Sequence, residues 1–307
     1  MTQAARGKAM TSGTAPRLLM CRPEHFGVVY AINPWMKPKD WKQEEHALAE
    51  QSRHEWMGLR HTLADLGADI ELVPAASGVP DLVFTANSAV VLDRKALLAR
   101  FRYPQRRSEE SHYKDAFRSL QARGLIDSIR TLPDDVVLEG AGDCVWDTTR
   151  KLFWMGYGPR SDLAAHEAVE RMFGVETLPL ELSDPRFYHL DTALCPLPHG
   201  DVMYVPAAFT AESRAAIRAN VVKAQRVEIG MSDACQLAAN AVCIGDTLVM
   251  SACGPRLRAE LEGRGYQVVT VPLGSFLRSG GAAFCLTLRL DLQSGHLPEQ
   301  RLSAGSR

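Results

Sequence analysis

Short apolar runs and helix-spaced apolar stripes succeed one another along this chain in an order that repeats. Arg17-Leu-Leu-Met-Cys21 predicts a short strand closed by Pro23, and Ile32-Asn-Pro-Trp-Met36 follows as a loop. Between Trp41 and Leu66, the residues Ala47, Leu48, Trp56, Leu59, Leu63 and Leu66 share one face of a predicted helix, which Gly67 is placed to stop. Asp69 to Pro74 alternates as a strand does.

A unit of hairpin, helix and strand then sets a template. Leu82 to Leu92 and Lys95 to Phe101 flank a turn at Asp93-Arg-Lys95, followed by a predicted helix over Glu109 to Gly124 and a strand over Ile126 to Leu132. The second unit pairs Val136 to Trp146 with Leu152 to Tyr157 around Asp147-Thr-Thr-Arg150. Its helix spans Ser161 to Phe173, with Ser161 as N-cap, and its last strand spans Val175 to Leu182. The third has strands Tyr188 to Leu197 and Val202 to Val205, helix Thr210 to Asn220 and strand Gln225 to Ile229. The fourth has strands Ala241 to Ile244 and Thr247 to Ser251, helix Arg256 to Arg264 and strand Tyr266 to Val271.

Hairpins therefore start near Val83, Val137, Tyr188 and Asn240, roughly every 50 residues, and a fifth start falls at Phe284. That last unit has only its first strand. The missing strand, helix and strand are the ones at the N-terminus. A propeller-like ring closed by pairing the two chain ends completes the unit and removes a sheet edge. The competing arrangement is a doubly wound α/β sheet, which repeated hairpins disfavour because they make antiparallel pairs.

In such a ring the residues where each first strand begins converge on the axis: Asn87, Glu139, His189, Asn240 and Cys285. Cys285 ends the stretch Ser279-Gly-Gly-Ala-Ala-Phe-Cys285, whose small residues let backbone or ligand come close to the sulfur. A thiolate attacks carbon well but needs a lowered pKa or a nearby base. His189 can move a proton near neutral pH, and Glu139 can orient its imidazole. A buried cysteine alone would read as core. Three reactive types at equivalent points of successive repeats favour chemistry instead.

The carboxylates Asp81, Glu139, Asp143 and Asp191 lie at or near the same strand starts. Gathering them away from water is costly unless a cation balances them. No metal-ligand spacing is present, so neither a metal nor an organic cofactor is expected. The cation is then organic, and a planar guanidinium takes paired carboxylate hydrogen bonds well. Asp191 shares the face of His189, because strand side chains repeat every two residues. Asp143 has the alternative of capping a turn.

Composition narrows the field. With 35 basic and 36 acidic residues the net charge is -1, and 46% of the chain is hydrophobic, which suits a large folded core rather than a nucleic-acid or membrane partner. The cluster Arg100, Arg102, Arg106 and Arg107 reads as a solvated face or a small-anion site. No apolar run reaches the length of a membrane span. Residues 1–16 read as a disordered leader, 17–292 as one catalytic domain and 293–307 as a tail. Seven scattered cysteines without a CxxC pair suit reduced thiols in a cytoplasm. The string His189, Cys195, His199 is too loose for a structural zinc site. Association with further copies of the chain is left open.

The motifs Pro80-Asp-Leu-Val-Phe-Thr-Ala-Asn87, Glu139-Gly-Ala-Gly-Asp143, Tyr188-His-Leu-Asp-Thr192 and Gly280-Gly-Ala-Ala-Phe-Cys285 resemble those of the guanidino-group-modifying superfamily. Its members include arginine deiminases, dimethylarginine dimethylaminohydrolases and amidinotransferases. The resemblance runs from about Leu18 to Leu290 and is strongest to arginine dihydrolases, which share the Ile32-Asn-Pro-Trp-Met36 stretch. It implies an α/β pentein fold, a five-bladed β/α propeller with pseudo-fivefold symmetry. It also implies a small-molecule guanidino substrate, arginine or a methylarginine. Cys285 would attack the guanidino carbon, His189 would protonate the leaving amine and then activate water, and Glu139 would assist it. Asp143 and Asp191 would hold guanidinium nitrogens, Asp81 a substrate nitrogen, and Arg106 and Arg160 the α-carboxylate.

Deiminases and methylarginine hydrolases usually carry aspartate where this chain has Asn87. The dihydrolase-like group has asparagine there and at the position of Asn33. In that group both C–N bonds are hydrolysed, giving ornithine, carbon dioxide and two ammonia. A neutral amide both donates and accepts, which would let a ureido intermediate stay and react again. The alternative is that Asn87 only satisfies a turn. Other readings are a hydrolase that stops at citrulline, an amidinotransferase, and a non-catalytic binding factor of the same fold. The last is not expected to keep Cys285, His189 and Glu139 together.

Overall fold

A computed structural model describes residues 15–295. Most of the segments assigned above to a leader and a tail lie outside these residues. The part of the tail that is described is tied down: the Ser294 backbone N–H and hydroxyl donate to Asp93 at 2.8 and 2.7 Å.

The fold is mixed α/β and, among the described residues, holds five three-stranded sheets. Four follow in chain order. The first contains β3 (Ala89–Leu92), β4 (Lys95–Leu98) and β5 (Ser128–Thr131), and the second β6 (Cys144–Asp147), β7 (Leu152–Tyr157) and β8 (Glu176–Glu181). The third contains β9 (Leu194–Pro196), β10 (Val202–Tyr204) and β11 (Arg226–Glu228), and the fourth β12 (Val242–Ile244), β13 (Thr247–Met250) and β14 (Gln267–Thr270). In each, the first two strands are antiparallel and the second and third parallel. The first connection is a short loop, Asp93 and Arg94 or Gly245 and Asp246 in two of the sheets. A parallel return needs a crossover, and helices such as Glu109–Ala122, Ala165–Phe173, Ala211–Asn220 and Pro255–Gly263 provide it.

The fifth sheet joins the ends of the chain. β15 (Leu288–Arg289) pairs antiparallel with β1 (Arg17–Cys21), which pairs parallel with β2 (Asp69–Val73). Leu18 faces Arg289 and Leu19 faces Leu288, so this sheet repeats the pairing rule of the other four.

Local chemistry explains the punctuation. Asp93 and Arg94 both take positive φ, 51° and 58°, as a primed two-residue hairpin requires. The helix Glu45–Asp65 ends before Gly67, whose φ is 92°. Thr210 caps the helix Ala211–Asn220 by accepting from the Ser213 N–H.

Several sequence expectations are corrected. The stretch from Trp41 to Leu66 is two helices, Pro38–Gln43 and Glu45–Asp65, broken at Glu44, and Ala47 is exposed rather than part of the apolar face. The predicted first strands are largely not strands. Pro80–Val83, Thr85–Ser88, Gly140–Gly142 and Leu190–Thr192 are tight helical turns, and only the residues after them extend into β3, β6 and β9. Residues 282–287 are likewise turns leading into β15. These segments are buried on all sides, so their apolar character carries no period that separates strand from turn. Ser161 does not cap a helix, because the helix begins four residues later at Ala165.

The turns in front of the first strands are knitted together. Asn87 Nδ2 donates to the Glu139 carbonyl at 3.4 Å, and the Leu190 N–H donates to Asp143 Oδ1 at 2.9 Å. Asn240 Nδ2 donates to the Asp191 carbonyl at 3.1 Å, and the Cys285 N–H to Asn240 Oδ1 at 3.1 Å. The Ala86 N–H donates to the Cys285 carbonyl at 3.2 Å and closes the series. Glycine makes this approach feasible: a Cβ on Gly142 would stand 2.3 Å from Asn87 Nδ2.

Candidate active site

Each turn delivers one or two polar side chains to a common buried volume. Asp81, Asn87, Glu139, Asp143, His189, Asp191, Arg106, Arg160 and Cys285 are all at most 3% exposed. Burial at this level makes every hydrogen bond and charge pair consequential.

Cys285 sits between two groups. Its Sγ donates to Asp191 Oδ2 at 3.1 Å, and Asn240 Nδ2 donates to Sγ at 3.0 Å. Burial, followed by the Asp191 carboxylate, pushes the thiol pKa well up, against smaller downward pulls from the Ala282 N–H and Asn240. Asp191 is pushed up to about 7, chiefly by burial, against smaller downward pulls from Cys285, Asn240 and the Thr192 N–H. Its other oxygen, Oδ1, is buried without a hydrogen-bond partner.

His189 Nε2 lies 2.7 Å from Glu139 Oε2 and 4.0 Å from Asp143 Oδ2. The same Glu139 oxygen accepts from the Arg160 guanidinium at 2.9 Å, and Oε1 accepts from the Arg102 N–H at 3.1 Å. Burial works against the charge of Glu139. Arg160 above all, then His189, outweigh that and hold it well below the usual carboxylate range. Arg160 is clamped between the rings of Tyr103 and Tyr188, 4.8 and 4.6 Å from their centroids.

Asp143 works on backbone and hydroxyl groups. It accepts from the Leu190 N–H, next to His189, and from Ser161 Oγ at 2.6 Å. Ser161 in turn accepts from the Glu139 N–H at 3.0 Å. Burial pushes Asp143 up to about 6. Within the protein Asp143 thus ties its own turn to the one that carries His189.

Arg106 makes a two-pronged contact with Glu109, 2.9 and 2.8 Å, and donates to Asn87 Oδ1 at 2.9 Å. It is separated from its sequence neighbours Arg100, Arg102 and Arg107 by burial. Asp81 accepts from Tyr30 at 2.8 Å, and Asn33 donates to the Ser279 carbonyl at 3.0 Å. These two bonds fasten the loop after β1 over the site.

Asp191 and His189 share the site, though not by strand alternation, since Leu190–Thr192 is a tight turn. His199 bonds Asp246 at the surface and Cys195 faces the Ala241 carbonyl, so the His189, Cys195, His199 string is dispersed. Among the described residues no group of three or more histidine, cysteine or acidic side chains is placed to hold a metal ion.

Sequence reasoning placed Asn240 at a strand start without giving it a role, read Ser161 as a cap, and passed over Glu109. The Arg106-x-x-Glu109 spacing was the available signal for the last, because residues three apart meet on one helix face. Five acids (Asp81, Glu109, Glu139, Asp143, Asp191) share the volume with two arginines and one histidine. The raised pKa values of Asp143 and Asp191 are the response of a buried site short of positive charge.

Asn33, Asp81, Asn87, Arg106, Arg160, Tyr188 and Cys285 border a cavity of about 10 Å³, room for about one water. A larger cavity of about 270 Å³ has mostly apolar walls, including Val90, Trp146, Phe153 and Val242, and none of the site's acids. Chemistry, not size, singles out the smaller one.

A family model described as N,N dimethylarginine dimethylhydrolase, eukaryotic, matches residues 22–292. The bifunctional arginine dihydrolase/ornithine cyclodeaminase AgrE of Nostoc sp. (strain PCC 7120 / SAG 25.82 / UTEX 2576) is 40% identical over 274 residues, 89% of this chain and 38% of that protein. The chain thus spans well under half of that relative. The N(G),N(G)-dimethylarginine dimethylaminohydrolase of Mycobacterium tuberculosis (strain ATCC 25618 / H37Rv) is 34% identical over 277 residues, 89% of this chain and 85% of that one. Among solved structures, the N-terminal domain of ArgZ, an arginine dihydrolase from the ornithine-ammonia cycle in cyanobacteria, superposes with a TM-score of 0.84 at 36% identity. The match covers 91% of this chain and 99% of that domain, which was bound to substrate. A further structure holds the ArgZ domain covalently bonded to a reaction intermediate.

Proposed function

The chain belongs to the N,N-dimethylarginine dimethylhydrolase family, and from that premise we propose that it hydrolyses the guanidino group of arginine to ornithine. The observation that carries this reading is Asp191 Oδ1, a buried carboxylate oxygen with no donor, on the residue that holds the Cys285 thiol. A guanidinium N–H is the partner it lacks. The likeness to arginine dihydrolases over most of the chain supports the choice of substrate.

In the proposed sequence, the Cys285 thiolate bonds to the guanidino carbon and His189 protonates the departing amino nitrogen, which leaves as ammonia and gives a thiouronium on the sulfur. Water, deprotonated by His189, attacks that carbon, and the sulfur leaves. A second round on the ureido product releases carbon dioxide and a second ammonia. Arginine and two waters thus balance ornithine, carbon dioxide and two ammonia. Glu139 keeps His189 oriented. Asp191 takes a guanidinium nitrogen directly, whereas Asp143 acts by holding the backbone beside His189.

Asn87, with its oxygen turned to Arg106, is the neutral group proposed to retain the ureido intermediate. Asp81 is assigned a substrate nitrogen. Arg106 and Arg160 are assigned the α-carboxylate, although each already has protein acceptors. The cavity is too small for arginine, so binding requires part of its wall to move out.

The proposal includes a single catalytic domain over 17–292. It also takes the five sheets as blades of one pseudo-fivefold pentein ring, which the shared pairing rule and the closed series of turn contacts support. Among the described residues no helix is long and apolar enough to cross a membrane. The seven cysteines are unpaired, which supports a reducing, cytoplasmic setting.

The second reading is a dimethylarginine hydrolase that stops at citrulline, favoured by the family model and the mycobacterial relative. Incubation with arginine and with methylarginines, quantifying ammonia, methylamines, citrulline and ornithine, separates the two. Two ammonia per ornithine from arginine is the expected result. Citrulline with a methylamine as the main product would overturn it.

A further inference from the structure

We propose that Asn240 is a catalytic residue whose side-chain amide is a fixed donor that stabilises the Cys285 thiolate, the form of the sulfur that attacks carbon. This rests on the reading of Cys285 as the nucleophile.

The surroundings leave the amide one orientation. Asn240 Oδ1 lies 3.2 Å from the Ala282 N–H and 3.1 Å from the Cys285 N–H. Two N–H donors can be met only by the oxygen, so Nδ2 is the end that faces the sulfur at 3.0 Å. Its second hydrogen is taken by the Asp191 carbonyl at 3.1 Å. Asn240 is fully buried, and its four contacts use both hydrogens and the oxygen of the amide. A donor held this way needs no reorganisation when charge appears on the sulfur.

The bond discriminates between the two states of the sulfur. A thiol is a weak acceptor, whereas an anion makes a charge-assisted hydrogen bond. The other charged group in contact with Sγ is the Asp191 carboxylate at 3.1 Å, which opposes a second negative charge. Asp81, Arg106 and Arg160 border the same cavity further out, and the Tyr188 hydroxyl is occupied by the Gly280 carbonyl at 2.9 Å. Among the described residues Asn240 is the only side chain that donates to Sγ. When the thiol ionises, its proton passes to Asp191 Oδ2. The S–H pair becomes the lone pair that forms the S–C bond, and neutral Asp191 keeps Oδ1 as an acceptor for the substrate. The same amide fixes the backbone N–H of Cys285, so it sets the position of the sulfur as well as its charge.

The test reads Cys285 itself. Alkylation by iodoacetamide is followed across neutral to alkaline pH by peptide mass spectrometry, which separates Cys285 from the other six cysteines. Asn240→Asp keeps an oxygen for the two backbone N–H groups and removes the donor. Asn240→Ala removes both. The midpoint for Cys285 alkylation should rise by about one to two pH units in either variant, the worth of a hydrogen bond to a charged group. Turnover of arginine should fall about tenfold to about a hundredfold, mainly in kcat. Should either variant fail to fold, Asn240→Leu, near in size and without a donor, supplies the same measurement. A folded variant with the wild-type midpoint would overturn the proposal and leave Asn240 a backbone clamp. Cys285→Ser that still turns over would instead sink the nucleophile reading, whatever Asn240 does.

Discussion

Replacing Glu139 by glutamine removes one charge and almost no volume from the centre of the site. Its Oε2 bonds both His189 (2.7 Å) and Arg160 (2.9 Å). Arg160 is 2% exposed and Glu139 0%, so the guanidinium left behind has neither anion nor water. Breaking a buried pair in this way costs about 3–5 kcal/mol. At about 2 °C per kcal/mol for a chain of this size, Tm should fall by about 6–10 °C. Activity should fall further than stability explains. His189 loses the carboxylate that orients its ring, and general acid–base catalysis is worth about 10²–10⁴ in rate.

The double variant Glu139→Gln, Arg160→Met separates the two effects. Removing both charges should restore much of the lost stability, because an apolar side chain between Tyr103 and Tyr188 incurs no desolvation cost. It should restore none of the activity. Calorimetry and ammonia release from arginine are the assays. Linkage adds a check: the folded-state pKa of Glu139 is depressed, so its stabilisation is present above the ordinary carboxylate range, near pH 4, and is lost as pH falls below it. A single variant that melts within about 2 °C of wild type and keeps kcat within about threefold would refute this account of the charge pair.

Two further outcomes follow from the geometry. In Gly281→Ala the new Cβ would stand 2.4 Å from Phe84 Cε1, in a ring cluster with Phe26 and Phe276; a loss of about 1–3 kcal/mol in denaturant unfolding, with reduced turnover as the Cys285 loop shifts, is expected, and an unaltered melt would show that the ring gives way freely. Asp191, raised to about 7 in the folded protein, contributes stability that is full below about pH 4 and lost as pH rises through about 7, at up to about 1.4 kcal/mol per pH unit; urea unfolding of the ligand-free protein across that range should show this decline, Asp191→Asn should lack it, and equal slopes in both would contradict the assignment.

The repeat was legible because it is written in hydrophobic spacing: strands and helices of the right lengths recur, and a last unit without its partners points back to the N-terminus. The pairing of Leu19 with Leu288 bears that out. What misled was the apolar stretch before each first strand. Residues such as Pro80 to Ser88 are buried on every side, so nothing in their pattern separates a strand from two tight turns. The identities of the polar residues in those turns survived the mistake, since a turn and a strand start both bring side chains to the same buried place.

Residue types and their order thus determined which groups meet: a cysteine, a histidine, an asparagine and a set of acids, one or two per repeat. Only the tertiary structure decided how they are paired. That Glu139 is shared between His189 and Arg160, that Asp143 spends both oxygens on Ser161 and Leu190, and that the Cys285 thiol lies between Asp191 and Asn240 depend on side-chain directions in turns far apart in sequence. Charge states depend on these pairings as well. Burial and neighbours act over a few ångströms in space, which is why Glu139 is held below the usual carboxylate range while Glu109, Asp143 and Asp191 are pushed above it.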